Sequence, residues 1–415
     1  MRGGTLANLG YLYSLQVVNY LFPLLTLPYL ARVLGPEGFG KLAVAQALGQ
    51  YLYLFLEYGF SLSATREAAG LRNDAGALRN VFKGVFSARL ILLGPASVLA
   101  YLAGLFFPIL KGEGSLILGA LLYAFGMALS PVWFFQALEK MSFVAGLEFS
   151  VKLLALLGVF WLVRGPSDVA VPLYLQGGAS LLVSLVGFAL VYKKIGIVLP
   201  NLRDGWSWLR SGFSLFFFRV VVSLYTTANV IIVSVFLPPA QVALYAGAER
   251  ITKALIPMWE PFSRLFLPRF SFLIHDSPKE AWLLAPKVGL LMFGLGLGTG
   301  GALYILAPWV VKVILGSDYL QAIPLVRILV LVLPLIALSN FLGIQWMLAH
   351  KMDRPFNTII ALAGILNVVL ALAFVPLFGL LGMAWSVVLT EVWVTAAMGI
   401  YLWWVRRWPW RGYDL

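Results

Sequence analysis

The sequence predicts an all-α polytopic membrane protein of about twelve transmembrane helices in two six-helix bundles. Three observations carry that expectation. Of 415 residues, 61% are hydrophobic and only 11% charged, against about 25% charged in an ordinary soluble domain. Apolar stretches able to cross about 30 Å of hydrocarbon recur from end to end, with little between them. These runs are continuously apolar, not the short alternating strands of a transmembrane β-barrel. A disulfide scaffold is excluded because the chain has no cysteine, and a disordered chain is excluded by its hydrophobicity.

The spans follow in order. The first, about 8–30, contains no charge and lacks a small-residue cleavage site, so it leads into the bundle instead of acting as a signal peptide. It turns through VLGPEGFGK (33–41) into the second, 43–64. The third, fourth and fifth cover 82–107, 115–137 and 143–163; Glu148 and Lys152 in the fifth form a favourable i,i+4 pair. The sixth, 169–192, is followed by the longest polar connection, Lys193 to Gly212. Beyond it come 213–236 and 242–263, the latter interrupted by Glu249, Arg250, Lys253 and Glu260. The ninth, 283–311, is long enough to tilt or kink. The last three are 322–347, 356–378 and 382–405, ending in WWVRRWPWR (403–411), an expected interfacial anchor. Pro23, Pro28, Pro131, Pro257, Pro286, Pro324 and Pro334 fall in or near spans and supply kinks.

Six spans on each side of the long connection give expected bundles of 1–200 and 201–415. Each begins on the same side, a parity that permits parallel repeats. A faint echo, VLGPEGFGKLAVA (33–45) against VFLPPAQVALYAG (235–247), fits such a repeat. With the N-terminus inside, the cytoplasmic loops carry net +10 and the opposite loops net +1. The positive-inside rule therefore places both termini in the cytoplasm. Most of the formal +13 is thus topological. Nucleic-acid binding is not expected, because the basic loops are short; attraction to anionic membrane lipids is.

The charges inside spans are the functional signal. Seven are basic (Arg89, Lys152, Arg219, Arg250, Lys253, Lys287, Arg327) and five acidic (Glu57, Glu148, Glu249, Glu260, Glu391). Each costs about 2.5–3.5 kcal/mol at a helix centre, so it must pair, snorkel or line water. Lys287 and Arg327 lie within snorkelling distance of span ends, and Glu260 near a basic loop. Arg219 and Arg250 are deeper, with Arg89 a weaker case. A path lined by arginine suits an anionic cargo, because guanidinium grips phosphate in bidentate fashion and stays charged. The alternative is internal pairing with Glu57 or Glu391. Those two carboxylates could instead carry a coupling ion, H⁺ or Na⁺. Gln16, Asn19, Gln46, Gln50, Asn229 and Asn340 could share the path or act as interhelical glue. No catalytic set is visible: His275 and His350 are expected in loops, and no Walker A motif occurs. The expectation is a transporter, not an enzyme, with no metal or cofactor.

The stretches NYLFPLLTLPYLARVLGPEGFGKLAVAQALGQY (19–51), EYGFSLSATREAA (57–69), WFFQALEKM (133–141) and the region 225–255 with YTTANVIIV and YAGAERITKAL resemble the polysaccharide flippases of the Wzx type. These belong to the multidrug/oligosaccharidyl-lipid/polysaccharide exporter superfamily. The resemblance implies two six-helix bundles about a central cavity. It also implies alternating-access transfer of an undecaprenyl-pyrophosphate-linked oligosaccharide repeat across the bacterial cytoplasmic (inner) membrane. By the same resemblance, Arg219, Arg250, Lys253 and Arg66 are candidate headgroup residues, and Arg89 joins them from its place inside the third span. Glu57, Glu391 and Glu249 are the candidate coupling or pairing carboxylates. A polysaccharide polymerase and glycosyltransferases of the same pathway are the implied partners. The rival readings are a multidrug or cation antiporter of the same superfamily, which would want unpaired carboxylates, and a lipid II flippase, which usually has fourteen spans. A membrane scaffold or integral transferase is the rival from outside the superfamily.

Overall fold

In a computed structural model, the backbone is described for residues 2–410 and the side chains for that range apart from 2–21, 23, 142 and 225. Gln16, Asn19 and Pro23, together with the last residue of WWVRRWPWR, therefore lie outside the described side chains. Every regular element among the described residues is helical. In chain order they are α1 (Arg2–Glu57), α2 (Phe60–Gly70), α3 (Ala75–Phe106), α4 (Gly114–Leu129), α5 (Val132–Ala137), α6 (Ser142–Leu162), α7 (Val171–Ile195), α8 (Leu202–Thr226) and α9 (Ala228–Phe236). They continue as α10 (Pro239–Lys253), α11 (Glu260–Asp276), α12 (Pro278–Ile314), α13 (Ile323–Leu329), α14 (Val332–Asn340) and α15 (Asp353–Trp404). A π-helical turn, Phe341–Met347, follows α14.

Eight helical stretches among the described residues are long and apolar enough to cross a membrane. Their outer surfaces carry exposed Phe106, Leu154, Trp161, Leu185, Leu290, Ile305 and Trp309. Such surface would drive aggregation in water and is the natural boundary with hydrocarbon. The protein is a multi-pass membrane protein. Of the eight, only Asp353–Trp404 holds two of the twelve expected spans, and the expected spans 8–30, 43–64 and 242–263 are not among them; in α1 and α15 the chain turns back inside one continuous helical stretch. The 56 residues of α1 would extend about 84 Å if straight, far beyond a bilayer. Gly35, at φ 64° and ψ 175°, turns the chain between the first two spans in a region only glycine enters readily. In α15 the same turn is made by Gly379, at φ 58°, between the eleventh and twelfth spans.

Several spans are interrupted where the sequence reads as continuous. The stretch 43–64 breaks at Tyr58 and Gly59, both at positive φ. The stretch 213–236 is two helices, α8 and α9, meeting at Thr227. The stretch 242–263 passes from α10 through a 3₁₀ turn at Ile256–Trp259 into α11, because Pro257 and Pro261 cannot donate to a continuous ladder. His275, expected in a loop, sits in the last turn of α11; the chain there stays helical beyond the apolar segment.

The chain divides into two compact units, Met1–Val220 with Pro238–Ala240, and Val221–Leu237 with Gln241–Leu415. The division by contact falls within α8, at Val220/Val221. In the first unit, α4 and α7 pack backbone to backbone. A Cβ on Gly126 would come 2.6 Å from the carbonyl oxygen of Gly177, and the Ser184 hydroxyl donates to the Gly126 carbonyl at 3.1 Å. Small residues permit this approach, which substitutes for a hydrophobic driving force in lipid. In the second unit α12 packs on α14 in the same way: a Cβ on Gly296 would lie 2.6 Å from the Pro334 backbone.

Candidate functional site

Some of the in-span charges collect into a cluster within each unit. In the first, the chain stops being helical after Glu57, and the Glu57 side chain closes the break. Its carboxylate accepts from the Gly59 amide at 2.9 Å and the Ser61 amide at 2.6 Å, satisfying donors at the start of α2 as an anion should. The same carboxylate pairs with the Arg219 guanidinium from α8. Glu57 is 1% exposed, whereas the Arg219 side chain keeps 31% of its surface open. The pair is buried on its acidic side and accessible on its basic side.

Packing fixes this joint. Tyr58 stacks on Phe216 with ring centroids 4.3 Å apart and planes 9° apart, and Phe60 meets Trp208 edge-on at 6.3 Å. A Cβ on Gly59 would lie 2.9 Å from Leu215, so the EYGF sequence (57–60) is shaped against α8. On the other side α8 is tied to α3 by Lys83 and Asp204 at 2.7 Å.

Arg89 on α3 stands in the field of Glu57 but is 5% exposed. It donates at 3.5 Å to the Ser130 carbonyl, which the α4–α5 break frees. That burial suits a structural cation better than one that meets cargo. Arg66, on α2, is exposed. The WFFQALEKM segment (133–141) is a packing element. Trp133 and Phe134 are buried against Phe82, and Glu139 pairs with Arg72 at 2.8 Å.

In the second unit the focus is Glu249 on α10. Its Oε1 atom takes the Lys253 ammonium at 2.9 Å, the Asn229 amide at 3.0 Å and the Tyr245 hydroxyl at 3.4 Å. The i,i+4 spacing announced the lysine. Tyr245 lies four residues before Glu249 on the same helix, and only Asn229 is brought in from another element, α9. Lys253 also donates to the Thr226 carbonyl at 2.8 Å. Arg250 is half-buried beside Glu249 and is itself engaged. Glu391 lies elsewhere in this unit, buried on α15 with Thr390 and Ser386.

The remaining in-span charges take local roles. Glu148 and Lys152 are 3.5 Å apart, Glu260 holds Arg264 at 2.6 Å, and Arg327 stacks over the Tyr304 ring at 5.2 Å. Gln50 donates to Tyr123 at 2.8 Å, interhelical glue in the sense expected. Outside the spans, Lys41 has its pKa raised, chiefly by its hydrogen bond to Glu113, with burial opposing and Glu37 assisting.

The family model described as "Polysaccharide biosynthesis protein" matches residues 5–273. A protein of Escherichia coli (strain K12) named "Putative O-antigen transporter" is 31% identical over 398 residues, covering 95% of this chain and 96% of that protein. A Shigella dysenteriae protein of the same name is 28% identical, covering 94% and 98%. Among solved structures, lipid II flippase MurJ in an inward closed conformation aligns with TM-score 0.72 at 13% identity, over 98% of this chain and 88% of that one. An inward-facing MATE-family multidrug transporter of the MOP superfamily aligns with TM-score 0.70 at 16% identity, over 93% and 94%. At such identities the structural likeness establishes the fold alone.

Proposed function

The chain belongs to the polysaccharide biosynthesis protein family, as a Wzx-type polysaccharide flippase, and from that membership we propose that it carries an undecaprenyl-pyrophosphate-linked oligosaccharide repeat from the inner to the outer leaflet of the bacterial cytoplasmic membrane. Support comes from two levels. The curated relatives are named for O-antigen transport and match almost end to end. The observation that carries the chemistry is the half-open Arg219 guanidinium on a buried carboxylate. A polar headgroup cannot enter hydrocarbon, but its isoprenoid tail can stay there. The protein need only supply a polar path for the head and open it to each side in turn.

Arg219 suits the entering pyrophosphate because guanidinium forms bidentate, charge-assisted bonds to phosphate oxygens and stays charged at any working pH. Glu57 holds that fork oriented until an anion replaces it. Arg250 and Lys253 are the corresponding cations of the second unit, with the exposed Arg66 on α2 as a receiving charge. The polymerase and glycosyltransferases of the same pathway are the proposed partners. The driving force is an H⁺ or Na⁺ gradient, with Glu391, buried on α15, a candidate coupling carboxylate.

Reconstituted vesicles loaded with a defined lipid-linked oligosaccharide test the reading. Headgroup translocation by the Arg219→Gln, Arg250→Gln double variant should fall at least about tenfold, the cost of one lost charge-assisted contact. Native rates in a folded double variant would overturn it. The cation-antiporter reading is disfavoured because Glu57 and Glu249 each already hold a basic partner; efflux of a cationic dye from the same vesicles would favour it.

A further inference from the structure

We propose that Lys253 is a positioning residue: its ammonium caps the break between α8 and α9, and a diphosphate headgroup that draws the ammonium away releases that break. The inference rests on the flippase reading and deepens it by assigning what bound cargo does to the protein. α8 starts in the first unit and ends in the second, with the division at Val220/Val221. Its last residue before the break, Thr226, has a carbonyl that α9 does not use. The helix resumes at Ala228, and Thr227, at φ −130°, lies between.

Two groups manage the break. The Thr226 hydroxyl bonds back to the Val222 carbonyl at 3.3 Å, a pattern that loosens a helix end. The Lys253 ammonium, 2.8 Å from the Thr226 carbonyl, supplies positive charge at a helix C-terminus, where the dipole favours it. Glu249 aims that ammonium from 2.9 Å, and Asn229, in the first turn of α9, donates to the same carboxylate oxygen at 3.0 Å. One ammonium and one carboxylate therefore tie the end of α8 to the start of α9. Glu249 is largely buried, but the Lys253 side chain is 45% exposed, so the cation is the member an anion can reach. A diphosphate offers several strong acceptor oxygens in place of one carbonyl and one shared carboxylate. Once the ammonium turns to it, the Thr226 carbonyl and the Asn229 tie lose their common anchor.

Hydrogen exchange of the full-length protein in phosphatidylethanolamine nanodiscs tests this. The probes are undecaprenyl pyrophosphate, inorganic pyrophosphate and phosphatidylglycerol, with binding of each measured in parallel. Undecaprenyl pyrophosphate should speed exchange of the amides over 227–232 about tenfold, leaving α12 and α15 unchanged. Lys253→Met should exchange fast over the same amides without any probe and respond no further. Glu249→Gln should move in the same direction, which covers the case of a poorly folding methionine variant. Lys253→Arg, which keeps a cation within reach of the carbonyl, should restore slow exchange.

Undecaprenyl pyrophosphate that binds without changing exchange overturns the inference and leaves the flippase reading standing; failure of that probe to bind sinks both. An equal response to phosphatidylglycerol, or a response to inorganic pyrophosphate alone, overturns the link to lipid-linked cargo. Native exchange in Lys253→Met without probe overturns the cap.

Discussion

At the scale of single residues, the ion pair between Glu57 and Arg219 has a calculable asymmetry. Removing a partner from a buried pair costs about 3–5 kcal/mol, and the 31% exposure of Arg219 reduces that through solvent screening. Arg219→Met should therefore destabilise the protein by about 2 kcal/mol, because it strands a carboxylate that is 1% exposed. The double variant Glu57→Gln, Arg219→Met should recover most of the loss; thermal unfolding in detergent around a double-mutant cycle reads the difference. His350 gives a pH dependence. It packs on Trp346 with centroids 4.5 Å apart, and burial lowers its pKa from 6.5 to about 4, with Arg407 adding to the effect and a hydrogen bond to the Trp346 carbonyl opposing it. Below pH 6.5 the unfolded chain takes up a proton that the folded chain refuses. Stability should fall from about pH 6.5 to about 4 and level off below. His350→Phe should flatten that segment of the profile, and an unchanged slope would show that other groups cause it.

At the scale of elements, glycines act for two separable reasons. Gly35 has nothing within 4 Å of a built Cβ, so its requirement is purely conformational. Gly35→Ala should cost about 1–3 kcal/mol in strain. Gly35→Asn should cost as much, because ψ 175° lies far from the left-handed helical region that asparagine tolerates. Gly126 is ordinary helix, and its requirement is space. Gly126→Ala should push α4 from α7 and cost about 1–3 kcal/mol by overpacking. Thermal midpoints of the three variants test both accounts, and an asparagine variant as stable as the native chain would contradict the first.

For the whole molecule, the charge asymmetry of +10 against +1 between the two sets of loops predicts orientation. Because the chain contains no cysteine, single cysteines can be introduced without background. Cysteines placed in 196–201 should be labelled only from the cytoplasmic side of intact cells or oriented vesicles. Cysteines at 37 or 165 should be labelled only from the other side. The reverse pattern would invert the topology and put Arg66 and the Glu57 joint at the opposite mouth.

The sequence alone determined that the chain is a helical membrane bundle, because hydrophobicity over twenty-residue windows is set by composition and needs no partner helix. It determined, too, which pairs lie one turn apart, Glu249 with Lys253 and Glu148 with Lys152, because that spacing is internal to a helix. Tertiary structure decided the rest. The 162 positions between Glu57 and Arg219 carry no periodicity that could join them; α1 and α8 meet only through packing. Breaks at Tyr58–Gly59 and Thr227 are invisible to hydropathy, because a bend inside an apolar run leaves its composition unchanged. Arg89 and Arg219 look alike in sequence, both basic residues well inside spans. Packing buried one and left the other partly open, and the proposed headgroup role of Arg219 rests on that difference in exposure.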